Sequence, residues 1–563
     1  MSNAVNNRRD SSILYSRISI LILISSLFIV YNSYFNDFIE NGLLLYNGLL
    51  CIENYIIVFT MFIYILATLI IFINAVFILK KDILIIKFTD IINKFFTIKN
   101  NSLNLITFMK EINNSDYNNK YKKIIFNNYM SEQYRIIEYP LIILFCIIGT
   151  VFLMSSFDIV SIFLSIELQS YALYLICSIY RNSESSISAG LTYFLLGGLS
   201  SCIILLGIAL LYINSGTTNI ENIYVINNIS DIFTYNTLYE NTSELSNSSF
   251  IYSSDLYSFI SVQYTYIQIG LILISVGFLF KISAAPFHFW SPDVYDAVPT
   301  IVTTFISIIP KISILIFLYK LTYYTSSDII SLSWTNNLVI SSILSLVIGS
   351  VLGLTQYRIK RLFAYSTISH IGFLLLGLSI NNVESSKAML FYLIQYSFSN
   401  LNAFLILILI GYTLHNMITN NINIKDNKYS PIQYISQLKG YYNINPIIAI
   451  SLSITLFSFA GIPPLVGFFA KQLILTAAIN NGFMFTVIIA ILSSVISAVY
   501  YLVIIKVIFF EESNYIVNKS NNYLYNNNFY ISSYFSLIIS ILTLLITLFL
   551  FYDQEIFRLI NSI

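Results

Sequence analysis

Apolar runs recur along almost the whole chain, and they limit what it can fold into more than any other feature. Each run is about 20 residues long, the length at which an α-helix crosses the ~30 Å hydrocarbon core of a bilayer. Hydrophobic residues make up 57% of the 563 residues and charged residues only 10%, a balance that excludes a soluble globular domain. The sequence therefore predicts an all-α polytopic membrane protein.

Thirteen runs qualify as transmembrane spans. They cover residues 13–32, 53–79, 138–156, 158–180, 188–213, 265–287, 299–320, 338–354, 361–380, 388–413, 447–477, 483–508 and 530–552. We therefore expect about 13 transmembrane helices.

Basic residues fall unevenly on the loops between these spans. If successive loops alternate sides, 22 of the 28 Lys and Arg residues share the side of the N-terminus, including a short cluster at 358–361. The other side has Lys320, Lys387 and Arg558. Because short loops rich in Lys and Arg stay on the inside, we predict an inside N-terminus and an outside C-terminus.

Three lysines remain within the spans, and they are the informative charges. They are Lys281, Lys311 and Lys471, and Glu167 also lies near the middle of a span. A charge at the centre of a helix costs about 2.5 to 3.5 kcal/mol on insertion scales, so four cost on the order of 10 kcal/mol. Such groups usually mark ion or proton routes. The alternatives are misplaced span ends or structural ion pairs.

A lysine and a carboxylate together can carry a proton. Burial favours the neutral amine, whereas a nearby carboxylate favours the ammonium, so a lysine whose Glu partner moves can load and release a proton. His370 is a candidate further station, because imidazole titrates closest to neutrality. The hydroxyls of the neighbouring Ser366 and Thr367 are expected to bond back to their own helix.

Prolines lie close to two of these lysines. Pro286 follows Lys281, and Pro463 and Pro464 precede Lys471. Proline removes a backbone donor and breaks or kinks a helix. Freed backbone groups at membrane depth persist only where protein or water surrounds them. We therefore expect two broken helices, with hinges that also involve Gly461 and His288.

The two breaks occupy corresponding places in two blocks of five spans. Each lies in the fourth span of its block, in residues 138–320 and 338–508. Since five is odd, two copies of such a block must be inverted in the membrane, and paired broken helices mark transport sites. Residues 1–137 form two spans with a polar insert, and residues 530–563 form a final span with a tail.

Signatures of cofactor sites are missing from the sequence. Cys51, Cys146, Cys177 and Cys202 show no CxxC or Cys/His ligand spacing, so neither a metal site nor a disulfide framework is indicated. GxGxxG after a strand and GxxxxGK[ST] are also missing. We expect no cofactor and no metal on this chain.

Four motifs resemble one known family. FKISAAPFHFWSPDVYDAVPTIVTTFISIIPK, SIFLSIELQSYALYLI, KRLFAYSTISHIGF and SFAGIPPLVGFFAKQ are similar to segments of the antiporter-like subunits of respiratory complex I, the proton-pumping NADH:ubiquinone oxidoreductase. The resemblance covers about residues 138–510. Within the family, SPDVYDAVPT is most similar to the subunit 2 branch.

The resemblance implies roles for the buried charges. Glu167 and Lys281 match the buried Glu-Lys pair of the family, Lys311 matches its bridging lysine, and Lys471 matches its terminal lysine. His370 matches a polar station between the last two. Two features differ from bacterial relatives: Thr192 stands where they carry lysine, and two spans rather than three precede the first block.

The resemblance also implies a cellular role. We expect a proton-translocating subunit of complex I in the mitochondrial inner membrane, with its N-terminus in the matrix and its C-terminus in the intermembrane space. FMN, iron-sulfur clusters and ubiquinone would belong to other subunits. Partners would be membrane-arm subunits, accessory subunits at the loops 81–137 and 214–263, and bound lipids, with no nucleic acid. The alternatives are a subunit of a multi-subunit Na⁺/H⁺ antiporter and a non-pumping structural subunit.

Overall fold

The computed structural model describes residues 11–35, 42–76, 138–180, 183–226, 251–325, 333–417, 432–512, 533–549 and 551. The loop predicted at 81–137 lies outside the described residues, as do residues 227–250 of the second loop and both chain termini. Over the described ranges the structure is almost entirely helical, which confirms the all-α class.

Besides the 3₁₀ helices Ile435–Leu438 and Tyr441–Asn443 and a short helical stretch at 220–226, the described parts of the chain contain fifteen principal α-helices. In order they are α1 (Ser11–Tyr34), α2 (Asn54–Val76), α3 (Glu138–Ser155), α4 (Ile159–Ser178), α5 (Glu184–Ser215), α6 (Ile251–Ile282), α7 (Trp290–Ala297), α8 (Thr300–Thr325), α9 (Thr335–Leu354), α10 (Ile359–Ile380), α11 (Val383–Met417), α12 (Pro446–Ala460), α13 (Val466–Asn480), α14 (Met484–Phe509) and α15 (Ser533–Thr547). The sequence did not predict the antiparallel hairpin of β1 (Leu43–Leu45) and β2 (Leu50–Ile52).

Most predicted spans coincide with long apolar helices. Within the described residues, 11 helices are long and apolar enough to cross a membrane, and they correspond to 11 of the predicted spans. The predicted span 447–477 is divided into α12 and α13, and the last span corresponds to the 15-residue α15. A total of 13 transmembrane helices therefore stays a prediction.

The core of the bundle is formed by α8. Every residue in its most apolar stretch is buried, and α10 and α11 are nearly as enclosed. At the periphery, α5 exposes Leu191, Leu195 and Leu199, and α14 exposes Ile488 and Leu492. These residues recur every four positions and form apolar outer stripes suited to lipid. The buried polar groups are enclosed by this shell.

The first break follows α6. The helix ends at Ile282, Ser283 adopts a left-handed φ of 68°, and the Ala284 N–H donates to the Leu279 carbonyl at 3.0 Å. This is a Schellman closure, which satisfies the last carbonyls of a helix. Pro286 therefore lies in the following loop, not inside the helix as the span 265–287 implied, and the left-handed residue, not the proline, ends α6.

The second break separates α12 from α13 in the same way. Gly461 has a φ of 85°, and the Ile462 N–H donates to the Phe457 carbonyl at 3.2 Å. Pro463 and Pro464 lie in the connecting segment, and the Ala285–Pro286 and Pro463–Pro464 peptide bonds are both cis. The shared closure supports the proposed correspondence between the blocks, although the inverted repeat itself stays a prediction.

Candidate functional site

The structure brings Glu167 and Lys281 together. Glu167 lies on α4, and Lys281 is the penultimate residue of α6; the lysine Nζ is 3.2 Å from Glu167 Oε1. The side chains are only 14% and 7% exposed, respectively. Glu167 Oε2 also accepts a hydrogen bond of 3.4 Å from the Ser170 hydroxyl. A buried lysine thus has one carboxylate partner, held by a different helix.

Lys311 lies in the middle of α8, the most enclosed helix. Its side chain is buried, and its Nζ donates to the Thr367 Oγ1 on α10 at 3.2 Å. The ammonium also lies 5.5 Å from the centroid of the Tyr295 ring, a cation–π geometry. Within the described parts of the chain, the partners of Lys311 are therefore a hydroxyl and an aromatic face rather than a carboxylate.

His370 joins two tyrosines. Its Nδ1 lies 2.7 Å from the Tyr392 hydroxyl on α11, and its Nε2 lies 3.3 Å from the Tyr501 hydroxyl on α14. A neutral imidazole donates through one nitrogen and accepts through the other, and each phenol can do both. The three side chains form a buried relay that can pass a proton in either direction. The sequence did not single out either tyrosine, because both lie among apolar residues of other spans.

Lys471 bridges the second break. It lies on α13, and its Nζ donates to the carbonyls of Phe459 and Ala460, the last two residues of α12, each at 2.9 Å. The ammonium lies 5.6 Å from the Phe373 ring centroid. A β-carbon placed on Gly461 would lie 3.0 Å from the lysine Cδ. The glycine therefore provides both the left-handed turn and the space that the lysine occupies.

One face of α10 connects Lys311 to Lys471. Thr367, His370 and Phe373 are spaced by three residues, so their side chains line the same face. Thr367 contacts Lys311 and Phe373 contacts Lys471, and the two ends are about 9 Å apart along the axis. Lys471 also interacts electrostatically with His370. The structure thus aligns Lys311, His370 and Lys471, which lie on three separate predicted spans.

A hydrogen bond joins α4, the helix that carries Glu167, to the central α8. Gln169 lies two residues after Glu167, and its Oε1 accepts a 3.3 Å hydrogen bond from the Ser313 hydroxyl of α8. Among the residues that the structure describes, the buried Gln169 Nε2, Ser283 Oγ and the Asn402 side-chain amide have no protein partner. Buried polar atoms are nearly always satisfied, commonly by water. These three groups are therefore candidate partners for buried water.

The predicted hinge residues lie at the two breaks, next to Lys281 and Lys471. Gly461, Pro463 and Pro464 connect α12 to α13. His288 is buried in the loop after α6, where its ring packs on Phe289 at 4.6 Å between centroids. Burial lowers the pKa of the His288 imidazole, an effect partly offset by a hydrogen bond with the Pro286 backbone. These contacts give His288 a structural place in the loop.

Two further lysines are buried, which corrects their predicted place in loops. Lys320 lies inside α8, and its Nζ donates to the Ser156 carbonyl at 3.0 Å. Lys360 is the second residue of α10 and donates to the Val298 carbonyl at 2.6 Å. In the sequence both count among the loop charges that indicate sidedness, whereas the structure encloses them in the bundle. Aromatic Tyr323 and Tyr324 continue the run past Lys320, a signal that the sequence contained.

Two arginines next to Lys360 attach α10 to α7. Arg358 pairs with Asp296, and Arg361 contacts Asp296 at 3.2 Å and Asp293 at 2.9 Å. The hydrogen bond with Asp296 raises the pKa of the Arg358 guanidinium, against a smaller opposing effect of burial. The basic cluster at 358–361 indicates the inside of the membrane in the sequence. In the structure it also has a structural role.

Helix ends stabilise three of the five lysines that are buried among the described residues. Lys320 binds the carbonyl just after α3, Lys360 binds the one just after α7, and Lys471 binds the last two of α12. A helix C-terminus has unpaired carbonyls and a negative dipole end, which favour a cation. Thr192, by contrast, is exposed on α5 and bonds to the Ala189 carbonyl of its own helix.

The chain is similar to proteins of known families. Residues 156–497 match a family model described as NADH:quinone oxidoreductase/Mrp antiporter, TM. NADH-ubiquinone oxidoreductase chain 2 of Rhizopus oryzae is 43% identical over 485 residues, which cover 86% of this chain and 78% of that protein. The protein of the same name from Marchantia polymorpha is 37% identical over 63% of each chain.

Solved structures show the same fold. A chain of respiratory complex I from Thermus thermophilus, solved with bound aureothin, superposes with a TM-score of 0.64 at 19% identity. The superposition covers 99% of this chain and 95% of that chain. At this identity the likeness concerns the fold alone.

Proposed function

The chain belongs to the NADH:quinone oxidoreductase/Mrp antiporter transmembrane family, and we propose that it translocates protons as a chain 2-type membrane-arm subunit of NADH:ubiquinone oxidoreductase. The observation that carries this proposal is the row of buried ionisable groups across the bundle. It begins at the Glu167–Lys281 pair, continues through Lys311 and His370, and ends at Lys471. The relatives named chain 2 support the assignment to this complex.

Proton transfer along the row needs only acid–base chemistry. An ammonium loses a proton as its N–H bond breaks, and the next neutral amine or imidazole gains it as a new N–H bond forms. Hydroxyls of Thr367, Tyr392 and Tyr501 lie at the contacts, and bridging water can join groups beyond direct reach. No electron moves through these residues.

The Glu167–Lys281 pair is suited to control this transfer. With the carboxylate 3.2 Å away, the lysine is stabilised as an ammonium, because an opposite charge favours the charged form. When the carboxylate moves away, burial alone acts and favours the neutral amine. A displacement of Glu167 driven by another part of the complex would thus release a proton from Lys281.

The remaining parts of the activity belong to the rest of the complex. We propose that FMN, iron-sulfur clusters and ubiquinone bind to other subunits, and that electron transfer there provides the free energy. This chain would lie in the mitochondrial inner membrane with its N-terminus in the matrix and its C-terminus in the intermembrane space. Its neighbours would be other membrane-arm subunits, with accessory subunits at the polar loops and lipid around the outer stripes.

Replacement of Lys311 in the assembled complex tests the proposal. Lys311→Met should leave the complex assembled but lower the number of protons pumped per electron, measured in proteoliposomes together with NADH:quinone electron transfer. Lys387→Met is the matched control, because Lys387 is exposed at the start of α11. An unchanged proton-to-electron ratio in Lys311→Met would favour a non-pumping structural subunit.

A sodium measurement separates the second alternative. If the chain serves a Na⁺/H⁺ antiporter, its loss should abolish sodium tolerance and leave NADH oxidation intact. On our proposal, loss of the chain abolishes NADH oxidation by the complex. This comparison is needed because the family description names the Mrp antiporter as well as NADH:quinone oxidoreductase.

A further inference from the structure

Phe459, the penultimate residue of α12, contacts both of the groups at the end of the row. Its ring is buried and lies 5.2 Å from the His370 ring, centroid to centroid. Its backbone carbonyl accepts the 2.9 Å hydrogen bond from the Lys471 Nζ. One apolar residue therefore contacts the imidazole through its side chain and the last lysine of the row through its backbone.

The Phe459 ring also packs on Tyr501, one of the two tyrosines that His370 joins. The two rings are 5.7 Å apart and nearly parallel, with 25° between their planes. The distance from His370 Nε2 to the Tyr501 hydroxyl is 3.3 Å, whereas Nδ1 is 2.7 Å from the Tyr392 hydroxyl. The ring thus supports both side chains of the longer of these two hydrogen bonds.

A second phenylalanine contacts the same lysine in a different way. The Phe373 ring lies 5.6 Å from Lys471 Nζ and stacks on Tyr392 at 5.8 Å between centroids. Phe373 is in the interior of α10, where backbone carbonyls take part in the hydrogen bonds of the helix. Phe459, in contrast, binds Lys471 through a backbone carbonyl and packs on His370 through its ring.

The end of α12 explains how Phe459 makes both contacts. The helix stops after Ala460, because Gly461 turns the chain and its N–H donates to the Phe457 carbonyl at 3.0 Å. The last four carbonyls of an α-helix have no donor within that helix, so the Phe459 carbonyl is available to Lys471. The ring is enclosed by its neighbours, which include Phe363 on α10, and an enclosed side chain is held in one rotamer.

We propose that Phe459 is a positioning residue for the last proton transfer of the row. The carbonyl holds Lys471 and the ring holds His370, so one residue sets the geometry between donor and acceptor. The inference deepens the proposed function and rests on it. In this step an N–H bond of the His370 imidazolium breaks and an N–H bond forms on the neutral Lys471 amine, directly or through one water. A misplacement of about 1 Å can slow such a step roughly 10²-fold.

A purely structural role makes a different prediction. If Phe459 only fills space, its loss should act like the loss of any other buried phenylalanine. Phe317 on α8 is the matched control, because it is 1% exposed, against 2% for Phe459, and packs on Phe278 of α6. Phe459→Leu removes the ring that contacts His370 but keeps the carbonyl to which Lys471 binds.

The test uses the whole complex in proteoliposomes, with protons per electron, NADH:quinone electron transfer and melting temperature measured on each variant. We expect Phe459→Leu and Phe317→Leu to lose similar thermal stability, while only Phe459→Leu lowers protons per electron, to the level of His370→Gln. Phe459→Tyr keeps the ring and should pump near the unmodified level. The double variant His370→Gln with Phe459→Leu should pump no less than His370→Gln alone, because Phe459 acts through His370.

Three results would each make Phe459 a packing residue and overturn the proposal. They are equal protons per electron in Phe459→Leu and Phe317→Leu, pumping in Phe459→Tyr as low as in Phe459→Leu, and additive losses in the double variant. If Phe459→Leu does not assemble, Phe459→Met replaces it in each comparison, and failure of both would also overturn the proposal. Normal pumping in Lys311→Met would instead overturn the proposed function, and the role of Phe459 with it.

Discussion

Individual lysines are held in the interior of this bundle by two different kinds of partner. Lys320, Lys360 and Lys471 bind helix-terminal carbonyls, which are fixed in place and do not take up a proton near neutral pH. Lys281 has a carboxylate on a separate helix, so a relative movement of the two helices would change the contact. The Glu167–Lys281 pair is therefore the contact in the row best suited to being switched.

Neutralising Glu167 alone, and then Glu167 together with Lys281, should separate what the pair contributes to stability from what it contributes to pumping. Glu167→Gln leaves a buried ammonium without a counter-charge, and breaking a buried pair costs about 3 to 5 kcal/mol. We expect this variant to yield less assembled complex, with a lower melting temperature. The double variant with Lys281→Met removes both charges and should recover most of that stability, yet neither variant should pump normally. Native gels, thermal melts and proteoliposome pumping provide the measurements.

Glu184→Gln is the matched control, because Glu184 is an exposed acid at the start of α5. It should change neither assembly nor pumping. If the double variant were no more stable than Glu167→Gln, electrostatic pairing would not explain the contact. If the double variant pumped normally, the pair would be structural only.

At the scale of elements, the two broken helices depend on left-handed residues. Ser283 ends α6 and Gly461 ends α12, each with the same pattern of backbone hydrogen bonds. The prolines led the sequence analysis to the right places, because proline is common just after helix ends. The prolines could not reveal which residue turns the chain. A serine in the αL conformation cannot be recognised from the sequence as readily as a glycine, because serine adopts that conformation rarely.

Two glycines with nearly the same backbone conformation allow a controlled test of the second break. Gly461 and Gly482 have φ angles of 85° and 81°, so alanine at either costs about 1 to 2 kcal/mol of strain. At Gly461 the new methyl group would also press on the Lys471 side chain, whereas at Gly482 it would meet nothing within 4 Å.

Gly461→Ala should therefore displace Lys471 from the Phe459 and Ala460 carbonyls and lower proton pumping. Gly482→Ala should lose a similar amount of thermal stability and pump normally. Melting temperature and protons per electron, measured on both variants, decide the matter. Equal pumping by the two would mean that the position of Lys471 against the end of α12 is not needed for transfer.

For the whole molecule, the sequence predicts what depends on local hydropathy and charge. The long spans, the polar positions within them and the two breaks are of this kind. The sequence does not predict which helix faces meet, because that depends on packing between distant segments. The contact of His370 with Tyr392 and Tyr501, for example, joins three helices. The sequence did not predict the burial of Lys320 and Lys360 for the same reason. Each lysine is stabilised by the end of a helix that is distant in the sequence.

The orientation of the bundle in the membrane is a prediction for the whole molecule that can be tested at two positions. Tyr357, before α10, is 82% exposed, and Val383, at the start of α11, is 67% exposed. The 22 residues of α10 separate them, a length of about 33 Å. We therefore expect them to lie on opposite sides of the membrane, and the distribution of basic loops predicts that Tyr357 is inside.

In mitoplasts, Val383→Cys should react with a membrane-impermeant maleimide, while Tyr357→Cys should react only after the membrane is made permeable. The unmodified chain, with its own four cysteines, measures the background. The reverse pattern would invert the bundle and place Val383 on the matrix side and Tyr357 on the intermembrane-space side. Labelling of both positions from the same side would show that α10 does not cross the membrane, which would remove the alternation of loops on which the orientation depends.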